Sequence, residues 1–208
     1  MKRGRHRDEL LDQGLQLFAT KGYSATGVQD ITDAASVPKG SFYNYFQSKE
    51  EFALAVLERY GEEAREFMAA QLTGQGSPLT RLRSFFAAGR AKATSEHFSG
   101  GCLAGRLAQE LAGEQPSFRP ALERVFCCMQ NSVVRLLEEA KAAGELTPDQ
   151  DSGELANFLL ASFQGAMTRA KAAGNGEALR IFEDLVFLRL LPSLAPVPPA
   201  SSEAALSA

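Results

Sequence analysis

From Asp8 to Leu191 the apolar residues of this chain recur every three or four positions, and where the recurrence stops a Gly or a Pro stands nearby. That period belongs to the helix, whereas a strand alternates every second residue. Gly22 follows a stripe of Leu10, Leu11, Leu15, Leu17 and Phe18, and Ser36-Val37-Pro38 follows a shorter one of Val28, Ile31, Ala34 and Ala35. Ser48 is placed to cap a long helix opening Lys49-Glu50-Glu51, where acids suit the positive helix end. Breaks at Thr73–Pro78, Ser99–Gly101, Gly144 and Gly174 separate the rest. The pattern predicts helices over about 7–21, 28–35, 39–46, 49–72, 79–94, 102–111, 118–143, 152–173 and 177–191. No segment keeps a strand's alternation and no internal repeat is visible, so the expected fold class is all-α, with about nine helices.

Composition closes off several functions. The chain has 208 residues, 45% of them hydrophobic, enough to fill a sizeable core. No run approaches the roughly 18 consecutive apolar residues of a membrane span. The opening MKRGRHRDELL has no apolar signal core. Three cysteines, two of them adjacent, make no disulfide framework and point to a reducing cytoplasm. With two His, no zinc-type Cys/His spacing, no Gly-rich phosphate loop and no Ser-His-Asp context, neither a metal, a cofactor nor an enzyme is expected.

The net charge of −3 hides an asymmetry. Residues 1–50 carry seven Lys/Arg against six Asp/Glu, and Lys2, Arg3, Arg5 and Arg7 precede the first acid. Such an arm can neutralise phosphates, or be a solvated tail. Residues 28–46 add two short helices about a tight turn, the proportions of a helix-turn-helix. Phe42 and Phe46, four apart, would face a small core with Phe18, Val28, Ile31 and Val37. The other face would offer Lys39, Ser41, Tyr43, Asn44 and Tyr45: a cation at a helix start, where phosphate is attracted, and hydrogen-bonding groups for phosphate and base edges.

The run Gly22-Tyr23, Thr26-Gly27-Val28-Gln29-Asp30-Ile31 and Ala35-Ser36-Val37-Pro38-Lys39-Gly40-Ser41-Phe42-Tyr43-Asn44-Tyr45-Phe46-Gln47-Ser48-Lys49-Glu50-Glu51-Phe52 resembles the DNA-binding region of TetR-type transcriptional repressors. The resemblance covers residues 7–55 and implies a DNA-binding domain over 1–50 and an effector-binding and dimerisation domain over 51–192, while Pro196-Val-Pro-Pro199 and the Ser/Ala-rich end read as a disordered tail over 193–208. It implies a homodimer that holds a palindromic double-stranded operator and releases it when a small molecule docks. Carried over residue by residue, Thr26, Lys39, Tyr43, Tyr45 and Lys49 are expected at phosphates, with Arg5 and Arg7 from the arm, and Ser41 and Asn44 at bases. Family members often have His where Asn44 stands. A DNA-independent helical adaptor is the rival class, and the basic arm with Lys39, Tyr43 and Lys49 argues against it.

Ser99-Gly100-Gly101-Cys102-Leu103-Ala104-Gly105-Arg106 resembles a segment of the NemR-like subgroup, whose members respond to electrophiles and oxidants through a Cys after Gly. The stretch Gln164–Lys171 resembles that subgroup's Lys-bearing helix, which puts Lys171 beside Cys102. A closely similar group binds small organic acids without a covalent step. Physically, a thiol at a helix N-terminus sees partial positive charge that favours thiolate, the reactive form. A free cysteine equally serves as a small buried hydrophobe. Phe98, Phe163 and Met167 are candidate lining residues for the effector, and Arg106 or Lys171 could pair a carboxylate. Cys127 and Cys128 read as structural. On the last two helices Leu155, Phe158, Leu159, Phe182, Val186 and Leu190 are expected at a two-fold interface.

Overall fold

The computed structural model describes residues 2–196 and contains no strand among them. In chain order the helices are α1 (Lys2–Thr20), α2 (Val28–Ala34), α3 (Lys39–Phe42), α4 (Lys49–Leu72), α5 (Pro78–Ser95), α6 (Leu103–Leu111), α7 (Arg119–Ala142), α8 (Ser152–Ala173) and α9 (Glu177–Leu185). The caps are those the composition provides. Ser48 Oγ accepts from Glu51 N at 3.0 Å. Asp151 Oδ1 accepts from Gly153 N and Glu154 N at 2.7 and 2.9 Å. Gly174, at φ +66°, closes α8 in the left-handed region that a side chain disfavours.

Four boundaries differ from expectation. α1 starts at Lys2, so the basic segment is helical and not a loose arm. The helix expected over 39–46 is one α-turn, Lys39–Phe42, followed by tighter turns in which Asn44 N donates to Ser41 O. The last helix widens to a π-turn at Val186–Leu190 before its final turn Leu191–Ser193, next to Pro192, which has no N–H to donate. The disordered tail does not begin at 193: Leu194 O accepts from Thr147 N at 2.8 Å and its side chain packs on the core. The remainder of that expected tail, 197–208, lies outside the described residues.

Two hydrophobic clusters build the interior. The first is aromatic: Phe52 of α4 lies 5.9 Å from Phe18, 5.3 Å from Phe42 and 5.0 Å from Phe46, ring to ring. Gly14 permits this, since a Cβ there would overlap the Phe52 ring. The cluster continues through Tyr23 and Phe118, rings 5.8 Å apart, into α6 and the start of α7. The second cluster fills the space among the end of α4, α5, α7, α8 and α9, centred on Phe86, whose ring lies 5.0 Å from both Phe163 and Phe182. α4 and α6 therefore each touch the first helices and the body.

This packing corrects the expected interface. Leu155, Leu159, Phe182 and Val186 are buried within a single chain, because the inward stripe of α8 and α9 closes onto α5 and α7. Leu190 is half-buried against the same cluster. Phe158 does face outward, at 52% exposure, and its apolar companions are Ile181 and Leu185 on the outer face of α9 and Leu188 on the π-turn that follows.

Candidate nucleic-acid interface and effector cavity

The turn between α2 and α3 is set by Ser36 at φ +54°, with Val37 N bonded to Thr32 O at 2.9 Å. It buries Phe42 and leaves Lys39, Tyr43 and Asn44 exposed, with Ser41 and Tyr45 half-buried. Tyr43 is 54% exposed while its ring edge rests on Phe42 at 5.3 Å, a fixed aromatic presented to solvent. Arg5 and Arg7 of α1 are exposed as well; Arg5 pairs with Glu9 at 2.9 Å, and the Arg7 guanidinium lies 5.6 Å from the Phe46 ring. These cations, hydroxyls and amide are the groups that position a protein on phosphates and reach base edges.

Two expected contacts are turned inward. Thr26 is fully buried and its hydroxyl donates to Gly22 O at 2.6 Å, so it holds the loop before α2 and offers no hydroxyl to DNA. Lys49 Nζ donates to Tyr23 O at 2.6 Å and lies 4.0 Å from the Tyr23 ring centre. Desolvation there lowers the ammonium below the ordinary lysine value, against the opposing pull of Glu110 and Asp30. Its charge is committed to the protein.

Cys102 is the cap of α6, half-buried, at the junction of two cavities of about 310 and 300 Å³. Both are lined by Gly101, Cys102, Gln164 and Met167. The first is the more polar of the two, with Arg106, Gln109, Glu110, Thr168 and Lys171 beside its apolar lining. The second is aromatic and apolar, with Phe67, Met68, Phe85, Leu160 and Phe163. Three donors converge on the Cys102 sulfur: Tyr60 Oη at 3.4 Å, Gly105 N at 3.5 Å and Gln164 Nε2 at 3.8 Å. Burial, then the neighbouring Cys102, raises the Tyr60 phenol well above its ordinary value, so the hydroxyl keeps its proton and donates. Lys171 is lowered, first by desolvation and then by the like charge of Arg106.

Of the residues expected here, Cys102, Lys171, Arg106 and Met167 meet at the polar cavity, and Cys102, Phe163 and Met167 at the apolar one. Phe98 is a correction: it sits in a left-handed turn at φ +56° against Gly176 and lines neither. Tyr60 and Glu110 were not anticipated. Tyr60 is 42 residues from Cys102, and no spacing rule joins them. Cys127 is exposed and donates to Glu123 at 3.3 Å, which raises its thiol. Among the described residues no cluster of three His, Cys, Asp or Glu could hold a metal ion, and no helix is long and apolar enough to cross a membrane.

α6 also grips the first helices. Arg106 Nη1 donates to Ala19 O and Thr20 O, both at 3.0 Å, at the end of α1. Glu110 Oε2 accepts from Tyr23 N and Ser24 N at 2.9 and 3.2 Å. Beyond α6, Ser117 donates to Glu50 at the start of α4 at 2.6 Å.

A helix-turn-helix face carried on a helical body with a ligand-sized cavity is the build of a DNA-binding regulator. The chain belongs to the TetR family. Residues 10–56 match the family described as "Bacterial regulatory proteins, tetR family", and residues 78–186 match "Tetracyclin repressor-like, C-terminal domain". The HTH-type transcriptional repressor DhaR of Mycobacterium sp. (strain GP1) is 39% identical over 189 residues, 90% of this chain and 93% of that protein. The HTH-type transcriptional repressor NemR of Escherichia coli K12 is 30% identical over 178 residues, 83% and 87% of the two chains. The crystal structure of a regulatory protein TetR from Rhodobacter sphaeroides superimposes with a TM-score of 0.81 at 36% identity, covering 91% of this chain and 98% of that one.

Proposed function

We propose that this TetR-family repressor binds a palindromic operator as a homodimer and lets go when a small effector reacts at Cys102. The observation that carries the reading is the position of that thiol. It caps α6, opens onto two cavities, and α6 is the helix whose Arg106 and Glu110 hold α1 and the loop before α2. The sulfur accepts hydrogen bonds from Tyr60, Gly105 and Gln164 and stands at the junction of both cavities, where an electrophile can reach it. With a maleimide or quinone, the thiolate attacks the β-carbon. A sulfur–carbon bond forms, the π pair moves to the α-carbon, and water supplies the proton. Similarity to NemR supports an electrophile as effector. Arg5, Arg7, Lys39 and Tyr43 would hold the backbone, with Ser41, Asn44 and Tyr45 near the bases. Residues 1–50 would then act as the reading domain and 51–192 as the sensing and pairing domain.

Arg106 and Lys171 in the polar cavity favour a second reading, an organic acid bound without a covalent step. One series separates the two. Gel shifts with DNA from upstream of the gene should show operator binding at low salt. N-ethylmaleimide should release that DNA and add its mass to Cys102. If Cys102→Ser releases at the same concentration, covalent sensing is wrong. If no upstream DNA is bound, the repressor reading fails.

A further inference from the structure

The two cavities at Cys102 differ in chemistry, yet four residues line both. The polar chamber presents Arg106, and at its rim the exposed Lys171, which has no carboxylate within ion-pair distance among the described residues. Arg106 is already paired with Glu110 at 3.2 Å, so the chamber is left with an excess of one positive charge. Arg106 disfavours the charge on Lys171, and an anion held beside the two would relieve that repulsion. The second chamber has no such pair of cations. Phe67, Phe85 and Phe163 line it, with Met68, Met129 and Leu160 between them. Gly89 gives Phe163 its place there, since a Cβ would crowd the ring at 2.8 Å. Glu63, Lys92 and Glu96 stand along its lining and supply both signs.

The two chambers meet at Cys102 and Gln164, which line both. Of the three donors to the Cys102 sulfur, Gln164 Nε2 is the farthest, at 3.8 Å, and a neutral amide bond to sulfur of that length is weak. Gln164 is an uncharged side chain on α8, so moving it would join the chambers beside Cys102 without unpairing a charge.

We infer that the two chambers are the halves of one divided site for an amphiphilic monocarboxylate, its head between Lys171 and Arg106 and its alkyl tail passing Cys102 into the Phe67–Phe85–Phe163 chamber. This rests on the non-covalent reading above. A short acid fills only the polar half and gains only the charge contact. A longer one adds burial of its methylenes, about 3- to 4-fold in affinity for each one the chamber accepts.

The test is calorimetric titration of the intact protein with propionate, hexanoate, octanoate and octan-1-ol, with gel shifts on the same samples. Octanoate should bind at least about 30-fold more tightly than propionate. It should also bind at least about 10-fold more tightly than octanol, since only the acid meets the cations. Ala64→Leu, which fills the apolar chamber from α4, should abolish the chain-length gain and leave propionate unchanged. Equal affinity for propionate and octanoate would overturn the divided site while leaving the small-acid reading intact. Equal affinity for octanoate and octanol would overturn the placement of the head. Binding of neither acid would overturn both readings.

Discussion

Arg106 and Glu110, one turn apart on α6, hold the first helices from two sides. Arg106 takes the last carbonyls of α1, and Glu110 takes the amides of Tyr23 and Ser24 just beyond. The two also pair with each other at 3.2 Å. Gly22, at φ +89°, lies between them because a Cβ there would overlap the Glu110 carboxylate. Arg106 is at the same time a wall of the polar cavity. An occupant of the cavity and the end of α1 therefore share one guanidinium.

Glu110→Gln should loosen this connection without touching the DNA-facing surface. The amide cannot accept both backbone N–H groups as strongly as a carboxylate, and the half-buried pair with Arg106 is lost, for a destabilisation of about 1–2 kcal/mol. Thermal denaturation reads the loss. Operator affinity without effector should stay within a few-fold, while the effector concentration that releases DNA should shift. An unaltered release curve would mean that α6 communicates by another route.

Lys39→Ala and Thr26→Ala should separate contact from scaffold. Lys39 is exposed at the start of α3, so its removal should weaken operator binding and lower the slope of log affinity against log salt by about 1 per protomer, with thermal stability unchanged. Thr26 is buried and bonded to Gly22, so its removal should lower stability by about 1 kcal/mol and leave the salt slope alone. Fluorescence anisotropy over a range of salt distinguishes them. A reduced slope for Thr26→Ala would restore it as a phosphate contact.

How far these roles were visible in sequence depended on distance along the chain. Helix spans, the Ser48 cap and the Phe42–Phe46 pair are local, and period and cap rules reach them. Thr26 has a type that suits a phosphate, while its burial depends on a loop held by Lys49 and Glu110 from distant parts of the chain. Leu155, Leu159, Phe182 and Val186 were correctly seen as apolar stripes, but period alone cannot say which stripe meets the chain's own core and which faces outward. The same limit hid Phe98 in its left-handed turn. Tyr60 and Glu110 act across 42 and 87 residues of chain, on Cys102 and on Tyr23, and no local signal encodes such pairings.

Asp30 makes an acid-sensitive contribution. Its Oδ2 accepts from Gly27 N at 2.7 Å and Lys21 stands 3.5 Å away, so the backbone bond first and the lysine second hold its carboxyl below the ordinary aspartate value. A depressed carboxyl stabilises the fold fully above the unfolded-state value, and the benefit is lost as pH falls through the folded one. Wild type should melt above Asp30→Ala at neutral pH, and the gap should narrow below about pH 4. A gap that stays constant to pH 2 would show that charge has no part in it.

The outer face of α8 and α9 supplies the remaining prediction. Phe158, Leu185 and Leu188 are 52, 51 and 59% exposed on one chain, with Ile181 beside them, although their neighbours on the same helices are buried. Phe158 and Leu185 share a shallow hollow with Arg189 and Leu190. Apolar side chains concentrated on two adjacent helices of a DNA-reading protein are suited to a second copy related by a two-fold axis, which would set two reading units one helical turn apart. Leu188→Glu puts a carboxylate in that contact and its twin across the axis, where like charges cannot both be desolvated. The dimer should weaken by at least about 10-fold in light scattering. Operator affinity should fall with it, while the helical circular-dichroism signal stays that of the wild type, because the side chain makes no part of the core of its own chain. A variant that remains dimeric at low micromolar concentration would place the interface elsewhere.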